Sequence, residues 1–587
     1  MRFWRGCVLG VLATIGGWVA PHFCFAGATG LPVVNYTDII AGPNSGGENN
    51  NGCYVTINGR NFGSMRGTST VTVGGGEVAA YKYWSETQVS VQLGPRTRSG
   101  PLVLSVGGLT VAAPDFFTIR PGNFYYVATW GNDASGVVND PSRPFRTPNA
   151  VMAMPDFSAG DFMILRGGTY DLSSGNENLY NNRWLNVGVG NGRTPAVGGT
   201  SPTNAITIAG YPGEDPVVDW GSINTTGVAG IRCVVGVEHY VFANMTFDLR
   251  DSGNVAIYLG FYSDPRQYLN YPRLVNLRVR GGMAGASSGV NVLALQRCIG
   301  IKVYGLDIGN QSALAVPDLA SHVIYLSHFY TDGEIAWSRI HDNRYGRAAL
   351  QIAGDGWGTT PFSSENGTWG TNTNVRIHDN IFENLAEEAI LCNLGSFEIA
   401  IYNNVFRNCM TKKNGGFSPI ALRGAGLAKG IYRLFNNTVL TDAPDASPGG
   451  IIQMGYSPQG TYPEKVYIYN NIIMAISADT NYFQINHISF DASRIDSRNN
   501  IWYGSSDKKP AWALSDEVEA DPKFVNAVSG RLDLRWDSPA IDHGTDAVAP
   551  LVSADQLGTR KPARGGYDIG AYEFQVAPPR EINMRLQ

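Results

Sequence analysis

Two kinds of alternation run along the 587 residues. From residue 31 to about 119, short runs alternate apolar and polar positions: Tyr54-Val-Thr-Ile-Asn58, Thr70-Val-Thr-Val73, Gln88-Val-Ser-Val-Gln92 and Leu102-Val-Leu-Ser-Val106. Gly-rich turns separate them, and strands at this spacing predict a β-sandwich. Phe116-Phe117-Thr-Ile119 reads as its last strand and Arg120-Pro-Gly122 as a linker.

Beyond the linker, two sets of short strands recur. One set ends in a polar pair: Asp342-Asn343, Asp379-Asn380, Asn403-Asn404, Asn436-Asn437, Asn470-Asn471 and Asn499-Asn500. Between the second members the steps are 37, 24, 33, 34 and 29 residues. A period of roughly 20–50 residues predicts a solenoid. A buried amide left unpaired costs about 1–3 kcal/mol, so an Asn at every turn predicts a ladder of mutually bonded amides. The second set includes Ala256-Ile-Tyr-Leu259, His322-Val-Ile-Tyr-Leu326, Ala348-Ala-Leu-Gln-Ile352, Ala389-Ile-Leu-Cys392, Pro419-Ile-Ala-Leu-Arg423 and Ile451-Ile-Gln-Met454. Side chains alternate across a strand. With Ile324, Leu350, Ile390, Ile420 and Ile452 inward, the outward row is Tyr325, Gln351, Leu391, Ala421 and Gln453.

These patterns gain a likeness in particular motifs. Gly59, Asn61-Phe62-Gly63, Val73-Gly74 and Trp84-Ser-Glu-Thr-Gln88 resemble the IPT/TIG immunoglobulin-like family, which implies a non-catalytic spacer or binding module over 31–120. Tyr126-Val127, Gly131-Asn-Asp133, Pro144-Phe145-Arg-Thr147 and Ile164-Leu-Arg-Gly-Gly-Thr-Tyr170 resemble the opening of extracellular parallel β-helix proteins of the pectate-lyase-like kind. There a short helix, here about Asn149 to Met154, caps the open end. Ser538-Pro-Ala-Ile-Asp542 and Tyr567-Asp-Ile-Gly-Ala-Tyr-Glu573 resemble their closing segments. The expected fold is all-β: a right-handed parallel β-helix over 123–575, preceded by a small immunoglobulin-like β-sandwich.

Composition narrows the function. Charged residues make up 16%, below the roughly 25% of an average globular chain. The net charge of −5 leaves no basic footprint for nucleic acid. Arg2 and Arg5, the apolar run Cys7 to Ala20 and Cys24-Phe25-Ala26 read as a signal peptide over 1–26. No later run has the length of a membrane span. A secreted, soluble monomer is expected. Five scattered cysteines follow residue 26; they read as buried fillers with at most one or two bridges.

Titratable residues thicken around 322–328, 347–357 and 387–393. Their types suit uronate chemistry, in which a sugar carboxylate is neutralised, the neighbouring proton removed and O4 released. Arg, a cation or an amide does the first, and His, Tyr or Lys the proton transfers. His322 or His328 is the candidate base, Tyr325 the proton donor, and Arg347 or Arg423 the carboxylate clamp. Against that, a His at a strand start is often a satisfied turn residue and Arg423 a solvated charge. Tyr258, Gln351, Asn393 and Trp357 are the candidate substrate-binding residues. Tyr258 and Tyr325 share a register and read equally as an aromatic stack. His341 and His378 read as matching structural positions before the ladder. Asp355, Glu387, Glu388 and Asn393 offer the oxygen ligands calcium prefers. Glu387-Glu388-Ala-Ile-Leu-Cys-Asn393 is distantly similar to a motif of alginate and chondroitin lyases, where a metal-binding Glu precedes a Lys by five positions; here that position is Asn393.

Three functions fit. One is a lyase or C5-epimerase on an acidic polysaccharide. Another is a glycoside hydrolase, with Asp355 and Glu388 as its carboxyl pair about 5–5.5 Å apart. The third is a non-catalytic glycan-binding surface or matrix protein.

Overall fold

The computed structural model describes residues 30–575, apart from 178, 180–181, 188–196, 224–226, 235–236, 262–267, 283–290, 311–321, 328–329, 344–347, 354–371, 394–397, 411–417, 424–429, 442–449, 456–461, 486–489, 491, 507–508, 511 and 514. The expected signal peptide, and with it the two cysteines before residue 27, lies outside the described residues.

The N-terminal unit is a sandwich of two sheets. One runs Val33–Thr37, Tyr54–Arg60, Gln88–Gln92, Ala80–Trp84; the other includes Thr70–Val73, Gly100–Val106 and Leu109–Ile119. Alternation delivers the core: Val55, Ile57, Val71, Val89, Val91 and Leu104 are fully buried, with Phe62 beside them.

After the linker the chain winds into stacked parallel turns. Among the described residues, 21 strands form one continuous sheet and ten form a second. Most turns give two strands to the long sheet, one on either side of a sharp corner, and one strand to the ten-stranded sheet; Tyr240–Asp248 and Arg273–Arg280 run through the corner as single strands. The section is a triangle whose corner lies across from that second sheet. The interior is one apolar cluster from Tyr125 to Trp502. The helix Pro148–Met152 closes the first end, its N-terminus capped by Thr147. All five cysteines among the described residues are buried and unpaired; Cys233, Cys298, Cys392 and Cys409 fill the β-helix and Cys53 the sandwich.

The corner explains the polar pairs. The corner residue adopts left-handed backbone: Asn244 (φ 57°) and Asn276 (52°), each followed by an apolar residue, on early turns, and then the first member of the polar pairs at Asp379 (55°), Asn403 (52°), Asn436 (51°), Asn470 (57°) and Asn499 (51°). Asn and Asp tolerate this region where most side chains do not. The second member points inward. The Nδ2 of Asn380, Asn404, Asn437 and Asn471 each donates to the Oδ1 of the next Asn at 2.9–3.1 Å, ending at Asn500. The expected ladder is therefore present, with one correction. Asn343 is not in it, because Asp342 follows the strand on the other side of the corner. Ser338 holds the ladder position, its backbone N–H donating to Asn380 Oδ1 at 2.9 Å. Glu334 pairs with Arg376 in the strand register, so this step is 42 residues rather than 37. His341 and His378 likewise do not match: one pairs with Glu383 and the other with Tyr402. Both rings are held between carboxylates. His341 lies 2.8 Å from Asp342 and 3.0 Å from Asp307; His378 lies 2.6 Å from Asp379 and 2.8 Å from Glu334.

The outward side chains of the corner act as a rail. On early turns they hold the sandwich: Asn244 donates to Asp38 Oδ2 at 2.8 Å, and Tyr36 donates to Asn276 Oδ1 at 2.8 Å. On the next two turns the corner residues are Gly305 and Trp337, both with positive φ. A β-carbon on Gly305 would stand 1.9 Å from Tyr36 Oη, while Trp337 stacks on the Tyr36 ring at 5.2 Å. On later turns the rail holds the C-terminal segment. Asn403 donates to Ala554 O, Asn436 to Asp568 O, Asn470 to Thr545 O and Asn499 to His543 O, at 2.6–2.9 Å.

Candidate active site

The ten-stranded sheet carries the candidate chemistry. Its register aligns Asn186, Arg232, Tyr258, Ala294, Tyr325, Gln351, Leu391, Ala421, Gln453 and Gln484 on successive strands. The alternate row Leu185, Ile231, Ile257, Leu293, Ile324, Leu350, Ile390, Ile420 and Ile452 faces the core, each 1% exposed or less. The outward row from Tyr325 to Gln453 is the one that alternation predicts. Turns stack about 4.8 Å apart, so Tyr325 and Gln351 are immediate neighbours.

His322 precedes its strand and is 5% exposed. Its ring is stacked with that of Tyr325 at 5.7 Å between centroids and 16° between planes. Its backbone N–H donates to Asn291 Oδ1 at 2.9 Å, which fixes the turn that presents it. Glu388 holds the equivalent place two turns on, since Val323 and Ala349 donate in sequence to Ala348 O and Glu388 O. Arg423 is not a solvated charge: it is 7% exposed, and its Nη2 lies 3.2 Å from Glu388 Oε1. Gln351 and Asn393 are 4% exposed, Asn393 held by its N–H on Ile352 O at 2.8 Å. The sheet thus gathers His322, Tyr325, Gln351, Glu388, Asn393 and Arg423 on adjacent turns. Tyr258 lies further along the same row, its hydroxyl 3.4 Å from Gln296 Oε1. His328, Arg347, Asp355 and Trp357 lie outside the described residues.

Arg232 escaped the sequence reading. It stands between Asn186 and Tyr258, and Arg183 lies close enough to reinforce what burial does to it. Burial first, then the Arg183 charge, lower its guanidinium below the ordinary value. Burial raises the Tyr258 phenol, against the opposing Arg232 charge. The signal was available: with Ile231 and Cys233 inward, Arg232 must face out.

The donors considered for calcium do not form a cage among the described residues. Asp355 lies outside them, Glu388 is engaged by Arg423, and among the described residues no group of three His, Cys, Asp or Glu is placed to hold a metal ion. Nor does any described helix have the length and apolarity to cross a membrane.

Comparison with known proteins adds a family for the N-terminal unit. Residues 41–119 match the IPT/TIG domain. Just before the matched span, the strand Val33–Thr37 pairs with Tyr54–Arg60. The whole chain finds no match among curated proteins. Among solved structures it is similar to the pectate lyase Pel9A (15% identity, TM-score 0.47, covering 78% of this chain and 97% of that one). It is also similar to a rhamnogalacturonan lyase (11%, 0.43, 69% and 90%) and to the Azotobacter vinelandii mannuronan C-5 epimerase AlgE6 A-module (12%, 0.29, 58% and 90%).

Proposed function

We propose that this chain is an exported polysaccharide-active enzyme that acts on a uronate-containing polymer by β-elimination or C5-epimerisation. The observation that carries the reading is the His322–Tyr325 stack beside Gln351, on the outward face of a sheet whose inward face is wholly apolar. In this reading the sugar carboxylate meets the Gln351 amide, which lowers the cost of charge developing at C5. His322 takes the C5 proton. In elimination the C4–O4 bond breaks, a C4–C5 double bond forms, and Tyr325 gives its proton to O4. In epimerisation the C4–O4 bond stays intact, and Tyr325 gives a proton to C5 on the face opposite the one His322 deprotonated. Asp355 lies outside the described residues, so the carboxyl pair of a hydrolase draws no support from the geometry.

The test is a panel of acidic polysaccharides with wild type, His322→Ala and Tyr325→Phe. The reading expects ultraviolet absorbance from an unsaturated uronate, or solvent deuterium incorporated at C5, lost in both variants. New reducing ends without either signal, or full activity in His322→Ala, would overturn it.

A further inference from the structure

A second groove lies on the long sheet, away from the ten-stranded one. Strand register places Arg376, Ala400, Arg433 and Tyr467 side by side on four successive turns. Ala400 is the gap in this row: its short side chain leaves a floor between two guanidiniums, which stand two turns, about 10 Å, apart. The C-terminal segment supplies a wall. Val548 is fully buried against Ala400, Phe435 and Tyr469, and Leu551 packs beside them. The open groove has a volume of about 550 Å³, within the roughly 300–1,000 Å³ of small-ligand sites.

The lining is an apolar floor with few charges. Phe435 and Tyr469 stack at 5.1 Å, and Tyr467 meets Tyr469 edge-on at 6.0 Å. Glu398 lines the groove and so contributes one carboxylate against the two guanidiniums. Arg376 is partly engaged, its Nη2 3.1 Å from Glu334. Arg433 sits 5.8 Å over the Tyr467 ring and makes no ion pair with any described residue.

We propose that this groove binds a carboxylated sugar unit of a polysaccharide, the ring lying on the apolar floor and the carboxylate meeting Arg433. Aromatic faces take the C–H side of a sugar, and guanidinium matches carboxylate geometry. The proposal shares its ligand class with the function above but none of its residues. It gives the enzyme a holding site on a face separate from the one that does chemistry.

The full-length protein tests it by affinity electrophoresis in gels containing polygalacturonate, alginate or dextran. Arg433→Ala and Ala400→Leu, the latter filling the floor with every charge intact, are compared with wild type and Tyr325→Phe. Unfolding midpoints confirm that each variant is folded. Retardation by an acidic polymer, weakened about tenfold in both groove variants and retained in Tyr325→Phe, is the expected result. No retardation of wild type by either acidic polymer, equal retardation by dextran, or unchanged retardation in Arg433→Ala overturns the site. The lyase reading is judged separately by its unsaturated product. An active enzyme with unchanged retardation sinks only this proposal; retardation without product sinks only the other.

Discussion

Arg423 Nη2 lies 3.2 Å from Glu388 Oε1, and neither residue is more than 7% exposed. Two candidates that sequence reading kept apart, as clamp and as carboxyl, are thus partners. Removing one member of a buried pair typically costs about 3–5 kcal/mol, because the other charge stays behind. Arg423→Ala and Glu388→Ala should each lose stability on that scale in urea unfolding. Glu388→Leu with Arg423→Met should recover most of it. Recovery of stability without recovery of turnover would show that the pair also meets substrate.

The ladder makes a sharper claim. Asn437 donates to Ile401 O and Asn471 Oδ1, and its Oδ1 accepts from Asn404. Asn437→Ala leaves several buried groups unsatisfied at about 1–3 kcal/mol each. Asn408 forms an outer, exposed bond to Asn384, and Asn408→Ala should cost within about 0.5 kcal/mol. Equal unfolding midpoints for the two variants would contradict the account.

Gly305 governs docking of the TIG domain. Its φ of 64° already penalises a side chain, and a β-carbon would meet Tyr36 Oη at 1.9 Å. Gly305→Ala should loosen the domain, seen as faster proteolysis of the linker near Arg120. Tyr36→Phe removes the clashing oxygen and should restore part of the protection. No rescue would mean the cost lies in the backbone alone.

One pH dependence follows from His341. Burial acts to lower its pKa from the ordinary 6.5, but the hydrogen bonds the ring donates to Asp307 and Asp342 outweigh it, so the net shift is upward. Asp307 is lowered from 3.8, chiefly by the His341 hydrogen bond. A raised histidine stabilises fully below its unfolded pKa and loses this as pH rises through the folded one. A depressed carboxylate stabilises above its unfolded pKa and loses this as pH falls. The trio should therefore contribute most between about pH 4 and 6.5. The gap in unfolding midpoint between wild type and His341→Gln should shrink above neutrality; a gap that widens there would reverse the sign.

Much of this was legible because alternation is local. Ile324 inward and Tyr325 outward follow from period two, and the register then carries the row to Gln351 and Gln453 without further information. Asn343 misled because its dipeptide looks like the ladder pairs. Only strand pairing across 42 residues reveals that Ser338 holds that place. The Arg423–Glu388 contact and the docking of Tyr36 over Gly305 join residues far apart in the chain, which no run of letters encodes. The outward position of Arg232 was readable, since Ile231 and Cys233 flank it.

Stacked coils of this kind normally touch only their immediate neighbours, which invites fraying from the last one inward. Here the rail changes the mechanics. Tyr36 and Asp38 grip it early, and residues 543–571 grip it late, across four coils at once. Both tails are thus laced along one seam, so a chain cut before Ser538 should melt in stages where the intact one melts together. The seam is made by the corner of the long sheet, so neither tail takes its hold from the outward row of the ten-stranded sheet.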